Sequence, residues 1–142
     1  MKFKFIKSDE IEEVIVYAKQ RTELIDSIEN MCVIDSNLVG YYRESIYELN
    51  INSIECFITE NDKVYALIGK SKYLIKKRLY ELYEKYSDTF IYINQGCLAN
   101  INKIDHFDVS IGGSMLVVFK SNYKDYVSRR KLKEIKERMG LK

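Results

Sequence analysis

Between Val39 and Val127 the chain is broken into short apolar runs of strand length, with turn residues falling between many of them. Candidate strands lie at about 39–43, 45–50, 54–59, 63–68 and 72–75, then at 90–94, 97–99, 105–111, 114–120 and 124–127. Turn signals separate several of them: Asn50–Asn52 with Ser53, Asn61-Asp62, Gly69 through Ser71, and Gly112-Gly113, a strong hairpin signal. Connections this short suit antiparallel neighbours, because a parallel pair needs a long crossover. Two stretches change period. Ile75, Leu79, Leu82 and Tyr86 recur at helical spacing, with Lys76, Lys77 and Arg78 at the helix start, and Ser87-Asp88 ends the run. A terminal helix over 129–138 is apolar at Leu132, Ile135 and Met139 and stops at Gly140. The fold class is therefore mainly β with α (α+β): small antiparallel sheets with an internal and a C-terminal helix. No internal repeat or low-complexity tract stands out.

A different pattern precedes this. Residues 2–7 alternate lysine and apolar side chains, Val14–Tyr17 is a β-branched run, and Thr22 can cap a helix. Glu23 and Asp26 complement the positive end of that helix, and Leu24, Ile25, Ile28, Met31 and Cys32 share one face. Residues 1–36 thus read as a strand–strand–helix extension too small to bury a core alone, and 37–142 as the main domain. The apolar stripe of the extension must pack against the rest of the chain or against a second copy.

Charge divides the chain at the same place. Residues 1–36 carry five Lys/Arg against eight Asp/Glu, whereas 37–142 carry 18 against 13. From Lys124 onward there are eight basic and three acidic residues, so only the C-terminal part suits a polyanion. At 46% hydrophobic and 31% charged, the composition is that of a globular protein. No apolar run approaches the roughly 20 residues that span a bilayer, and the N-terminus lacks a signal-peptide core. A cytoplasmic protein without membrane insertion is expected. Cys32, Cys56 and Cys97 have no metal spacing, and His106 is the single histidine. No triad, phosphate loop or metal cluster accompanies them, so no cofactor, no metal and no enzymatic activity are expected.

The segment Phe90 to Ile104 reads Phe-Ile-Tyr-Ile-Asn-Gln-Gly-Cys-Leu-Ala-Asn-Ile-Asn-Lys-Ile. It resembles the Phe-Phe-Arg-Ile-His-(basic)-Ser-(apolar)3-Asn-(x)3-Ile pattern of the LytTR family of bacterial DNA-binding domains, with Asn100 and Ile104 in step. The Ile54-Glu55 pair, the Arg78-Leu79…Leu82 helix and the Ser128-Arg129 pair match that family in order, over about residues 40–140. The resemblance implies small antiparallel sheets that read DNA with loops and turns. It also implies the contacts: Asn61, Asp62 and Lys63 after the Ile-Glu strand, Asn94 and Gln95 in the Phe90 segment, and Arg129 with Arg130. The sequence departs from the family at Tyr92, Asn94, Gln95 and Gly96. The implied function is a stand-alone, sequence-specific regulator of bacterial promoters that lacks a receiver domain, with double-stranded DNA and a second copy in a homodimer as partners. The alternative, motivated by Tyr92, Asn94 and Gly96, is a protein-interaction or ligand-sensing module of the same fold that binds DNA weakly.

The residues support the implied roles chemically. Arginine gives bidentate contact to phosphate or to guanine O6 and N7, and Gln95 can offer donor and acceptor to an adenine edge. Ser128 can cap the terminal helix, whose first amides form a seat for phosphate. Without the resemblance, a solvated basic helix face and an ordinary polar turn would account for the same residues.

Overall fold

The computed structural model describes residues 15–34 and 38–141. Two units divide between Asp35 and Ser36. In the first, helix α1 spans Glu23–Ile34. Thr22 caps it as expected, its Oγ1 accepting a long 3.4 Å bond from the Ile25 N–H. Arg21 pairs with Asp26 at 2.6 Å and also with Glu29. The expected strand at 2–7 lies outside the described residues. The expected strand over Val14–Tyr17 is not formed: residues 15–18 have no regular structure. A β-branched run needs a partner ladder to satisfy its backbone, and no strand pairing involves it among the described residues.

The second unit holds ten strands among the described residues: β1 Leu38–Tyr42, β2 Ser45–Leu49, β3 Cys56–Glu60, β4 Lys63–Ile68, β5 Ser71–Ile75, β6 Phe90–Asn94, β7 Cys97–Asn100, β8 Ile104–Val109, β9 Met115–Phe119 and β10 Lys124–Val127. Helices α2 (Leu79–Tyr86) and α3 (Arg129–Arg138) complete it. All pairings are antiparallel. One seven-stranded sheet runs β2-β1-β5-β4-β3-β7-β6, and a three-stranded sheet runs β10-β9-β8.

Strand alternation sorts the side chains into two cores. Phe57, Phe90 and Leu98 project to one face of the large sheet, where Leu79, Leu82 and Tyr86 of α2 meet them. Cys56, Ile58, Ile91, Ile93, Cys97 and Ala99 project to the other face, against Met115, Val117 and Phe119 of the small sheet and Ile135 of α3. The two-residue period of β3, β6 and β7 thus serves both layers at once.

One boundary moves. Ile75, which the sequence allows both in the strand expected at 72–75 and in the helical stripe, is the last residue of β5, paired with Val64, and takes no part in the helix. The helix begins after Arg78, whose N–H donates to Glu81 Oε2 at 3.2 Å. Lys76 and Lys77 therefore stand before the helix, not in its first turn.

A short repeat also emerges. Asn-Ile-Asn-x-Ile occurs at 50–54 and again at 100–104. In each copy the first asparagine accepts from the amide two residues on, at 2.9 Å, opening a single 3-10 turn. The copies also touch: Asn100 Nδ2 donates to the Ile54 carbonyl at 2.8 Å, in the interior.

Candidate nucleic-acid interface

Three connections meet at one end of the large sheet. Glu60 pairs with Lys63, so Asn61 and Asp62 form a two-residue hairpin turn. Both adopt positive φ, 51° and 62°. That is the conformation of the hairpin turn whose twist matches its strands, and asparagine and aspartate tolerate it. The turn between β6 and β7 lies alongside, because the Thr59 N–H at the end of β3 donates to the Gly96 carbonyl at 2.9 Å. The start of α3 joins them through the Ser128 N–H, which donates to the Ile93 carbonyl of β6 at 2.8 Å.

Asn61, Asp62, Lys63, Gln95, Arg129 and Arg130 are all exposed. Lys63, Arg129 and Arg130 form no ion pair among the described residues. Their charges are thus not neutralised internally. The pairing of Val64 with Ile75 also brings Lys76 and Lys77 to this end, and Lys76 lies 4.4 Å from the centroid of the Tyr41 ring. The basic run at 76–78 could have singled these two out, but its position in the sheet became visible only once Ile75 was placed in the ladder.

Asn94 behaves differently from the other expected contacts. Its side chain is only 4% exposed. Nδ2 donates to Asp125 Oδ1 at 3.1 Å and to the Tyr126 carbonyl at 2.8 Å, while Oδ1 accepts from the Gly96 N–H at 2.9 Å. The amide expected at a base edge instead braces the turn that carries Gln95 and ties it to β10. Asp125, the other half of this brace, was missed in the sequence because nothing local marks a bond to a residue 31 positions away.

Ser128 has the extended backbone of a helix cap, with φ −68° and ψ 154°, but its hydroxyl makes no capping bond. Its carbonyl instead accepts from the Lys131 and Leu132 N–H groups, each at 3.0 Å. The first turn of α3 thus keeps amides without a side-chain cap, and Arg129 and Arg130 stand among them. Tyr92 packs its ring against Tyr83, with centroids 5.0 Å apart, and Lys131 lies 5.5 Å from its centroid. Burial, then the neighbouring Tyr83, raise its pKa.

Cys56 and Cys97 are buried. The hydrogen bond with Cys56 and then burial hold the Cys97 thiol well above its usual range, so it is not a nucleophilic thiolate at neutral pH. Glu55, also buried, accepts from the Ser121 hydroxyl and fastens the start of β3 to the β9–β10 turn.

A family model described as the LytTr DNA-binding domain matches residues 44–140. The chain belongs to the LytTR family. The LytTR fold is also seen in a solved LytTr DNA-binding domain from Bacillus cereus, which superposes with a TM-score of 0.69 at 14% identity, covering 74% of this chain and 97% of that one. Among relatives, uncharacterized HTH-type transcriptional regulators of Staphylococcus aureus strains NCTC 8325 / PS 47 and MRSA252 are each 31% identical over 141 residues, with 96% of both chains covered. This LytTR chain therefore shares nearly its whole length with those regulators, N-terminal unit included. The name of those regulators refers to a helix-turn-helix. Among the described residues here, no two helices are joined by a turn, and α2 and α3 are separated by five strands. No helix among the described residues is long and apolar enough to cross a membrane.

Proposed function

We propose that this LytTR chain is a non-enzymatic, sequence-specific transcriptional regulator of bacterial promoters, acting in the cytoplasm as a homodimer on double-stranded DNA. The convergence of the Asn61–Lys63 turn, the Gln95 turn and the start of α3 at one end of the sheet supports this reading. The first turn offers Asn61, Asp62 and Lys63. Gln95 presents its amide to a base edge, with Asn94 holding it in place. Arg129 and Arg130 take phosphate oxygens or a guanine edge.

The test is affinity for duplexes selected from a random-sequence pool, measured against salt. Binding should weaken as salt rises, with a log–log slope near −0.9 for each phosphate neutralised. Arg129→Ala should cost on the order of 1–3 kcal/mol if the guanidinium reads a base. Affinity indifferent to both changes would overturn the proposal in favour of a protein- or ligand-binding module.

A further inference from the structure

The tip of the β8–β9 hairpin has no task among the turns and arginines assigned to the duplex. Val109 pairs with Met115, and Met115 with Val127. Residues 110–114 therefore project from the end of the small sheet where Ser128 and Arg129 begin α3. With strands about 4.8 Å apart, the tip lies roughly 5–10 Å to the side of that helix start.

The tip is closed and narrow. The Ser110 N–H donates to the Ser114 carbonyl at 2.9 Å, the Gly113 N–H donates to the Ser110 carbonyl at 3.0 Å, and the two serine hydroxyls bond each other. Gly113 has φ 84°, which closes the turn without strain on a side chain. From Val109 to Ser114 there is no charge. Ile111 is fully exposed and Val109 is 64% exposed. An aliphatic side chain at the apex of a closed, uncharged hairpin gains nothing from water and has no inward partner.

We propose that this tip enters the major groove of the bound duplex and that Ile111 packs on a thymine methyl, an inference that rests on the DNA-binding reading. The aliphatic apex has no bond to offer phosphate, and the two serine hydroxyls beside it already bond each other. A two-stranded ribbon fits the major groove, about 12 Å wide, and not the minor groove, about 6 Å wide. The thymine C5-methyl is the apolar feature that the major groove presents. Arg129 and Arg130 beside the tip supply the phosphate contacts that would hold it there.

The full chain is used to select a duplex from a random-sequence pool, and each thymine of that duplex is then replaced by deoxyuridine. Ile111→Ser should weaken binding about tenfold, the scale of burying one aliphatic side chain, with the salt slope unchanged. One deoxyuridine should weaken the wild type about fourfold, as for one lost methyl, and leave Ile111→Ser no weaker. Three results overturn the inference while leaving the DNA-binding reading intact: Ile111→Ser binding like wild type on a duplex that Arg129→Ala binds poorly, a weakened Ile111→Ser with no thymine whose methyl matters to the wild type, or an Ile111→Ser chain whose altered sedimentation shows that the tip meets a second copy. Failure of the wild type to select any duplex overturns both together.

Discussion

Asn94 uses both ends of its amide inside the protein, and the turn that carries Gln95 depends on it. Asn94→Ala would leave the Gly96 N–H without its acceptor and cut the link to Asp125 and Tyr126. A buried polar group left unpaired costs about 1–3 kcal/mol, so denaturant unfolding should register a loss of that size. DNA affinity should fall with it while the salt slope stays constant, because no phosphate contact is removed. His106 shows a second residue-level coupling. It sits between Asp105 at 2.6 Å and Asp108 at 3.2 Å on the exposed face of β8. The hydrogen bond to Asp105 is the main reason its pKa lies above the ordinary 6.5; desolvation opposes the rise, and the charges of both carboxylates and a hydrogen bond to Asp108 add to it. A raised pKa favours the folded chain below the unfolded value, and this contribution is lost as pH climbs through the folded one. An NMR titration of the imidazole should therefore give a midpoint above 6.5 in the wild type, moving down in Asp105→Asn.

Among the elements, β1 passes close to its neighbours at Gly40. A Cβ placed on Gly40 would meet Leu49 Cδ1 at 2.5 Å and Tyr73 Cβ at 3.0 Å. Gly40→Ala should destabilise the domain by about 1–3 kcal/mol, readable as a lower denaturant midpoint at constant m-value. Nothing local in the sequence marks this constraint: only the meeting of β1, β2 and β5 reveals the close approach. Elements held by local chemistry were legible. The Asn61-Asp62 turn, the Gly112-Gly113 hairpin and the alternation of Phe90 to Asn94 all follow from turn geometry or side-chain period. Ile75 fits both the strand expected at 72–75 and a helical spacing four before Leu79, and its pairing with Val64 decides for the strand only in three dimensions. At the candidate interface, the exposure of Gln95 and of the two arginines follows from residue type, whereas the inward turn of Asn94 does not.

On the scale of the whole chain, the two units differ in what they can bury. The sheet unit has two cores of its own. The N-terminal unit leaves Leu24 about half exposed on α1, and we propose that this unit carries the self-association of the proposed homodimer. A chain lacking residues 1–35 should keep a cooperative melt and lose dimerisation; sedimentation showing an unaltered oligomer would remove that role from the segment.

Because β3 sends alternate side chains into opposite layers, inserting a single amino acid there would exchange the contents of both at once. The turns between strands carry no such coupling, so lengthening or rewriting a few positions at 61–62 or 110–114 leaves both layers in register and does not ask the scaffold to refold.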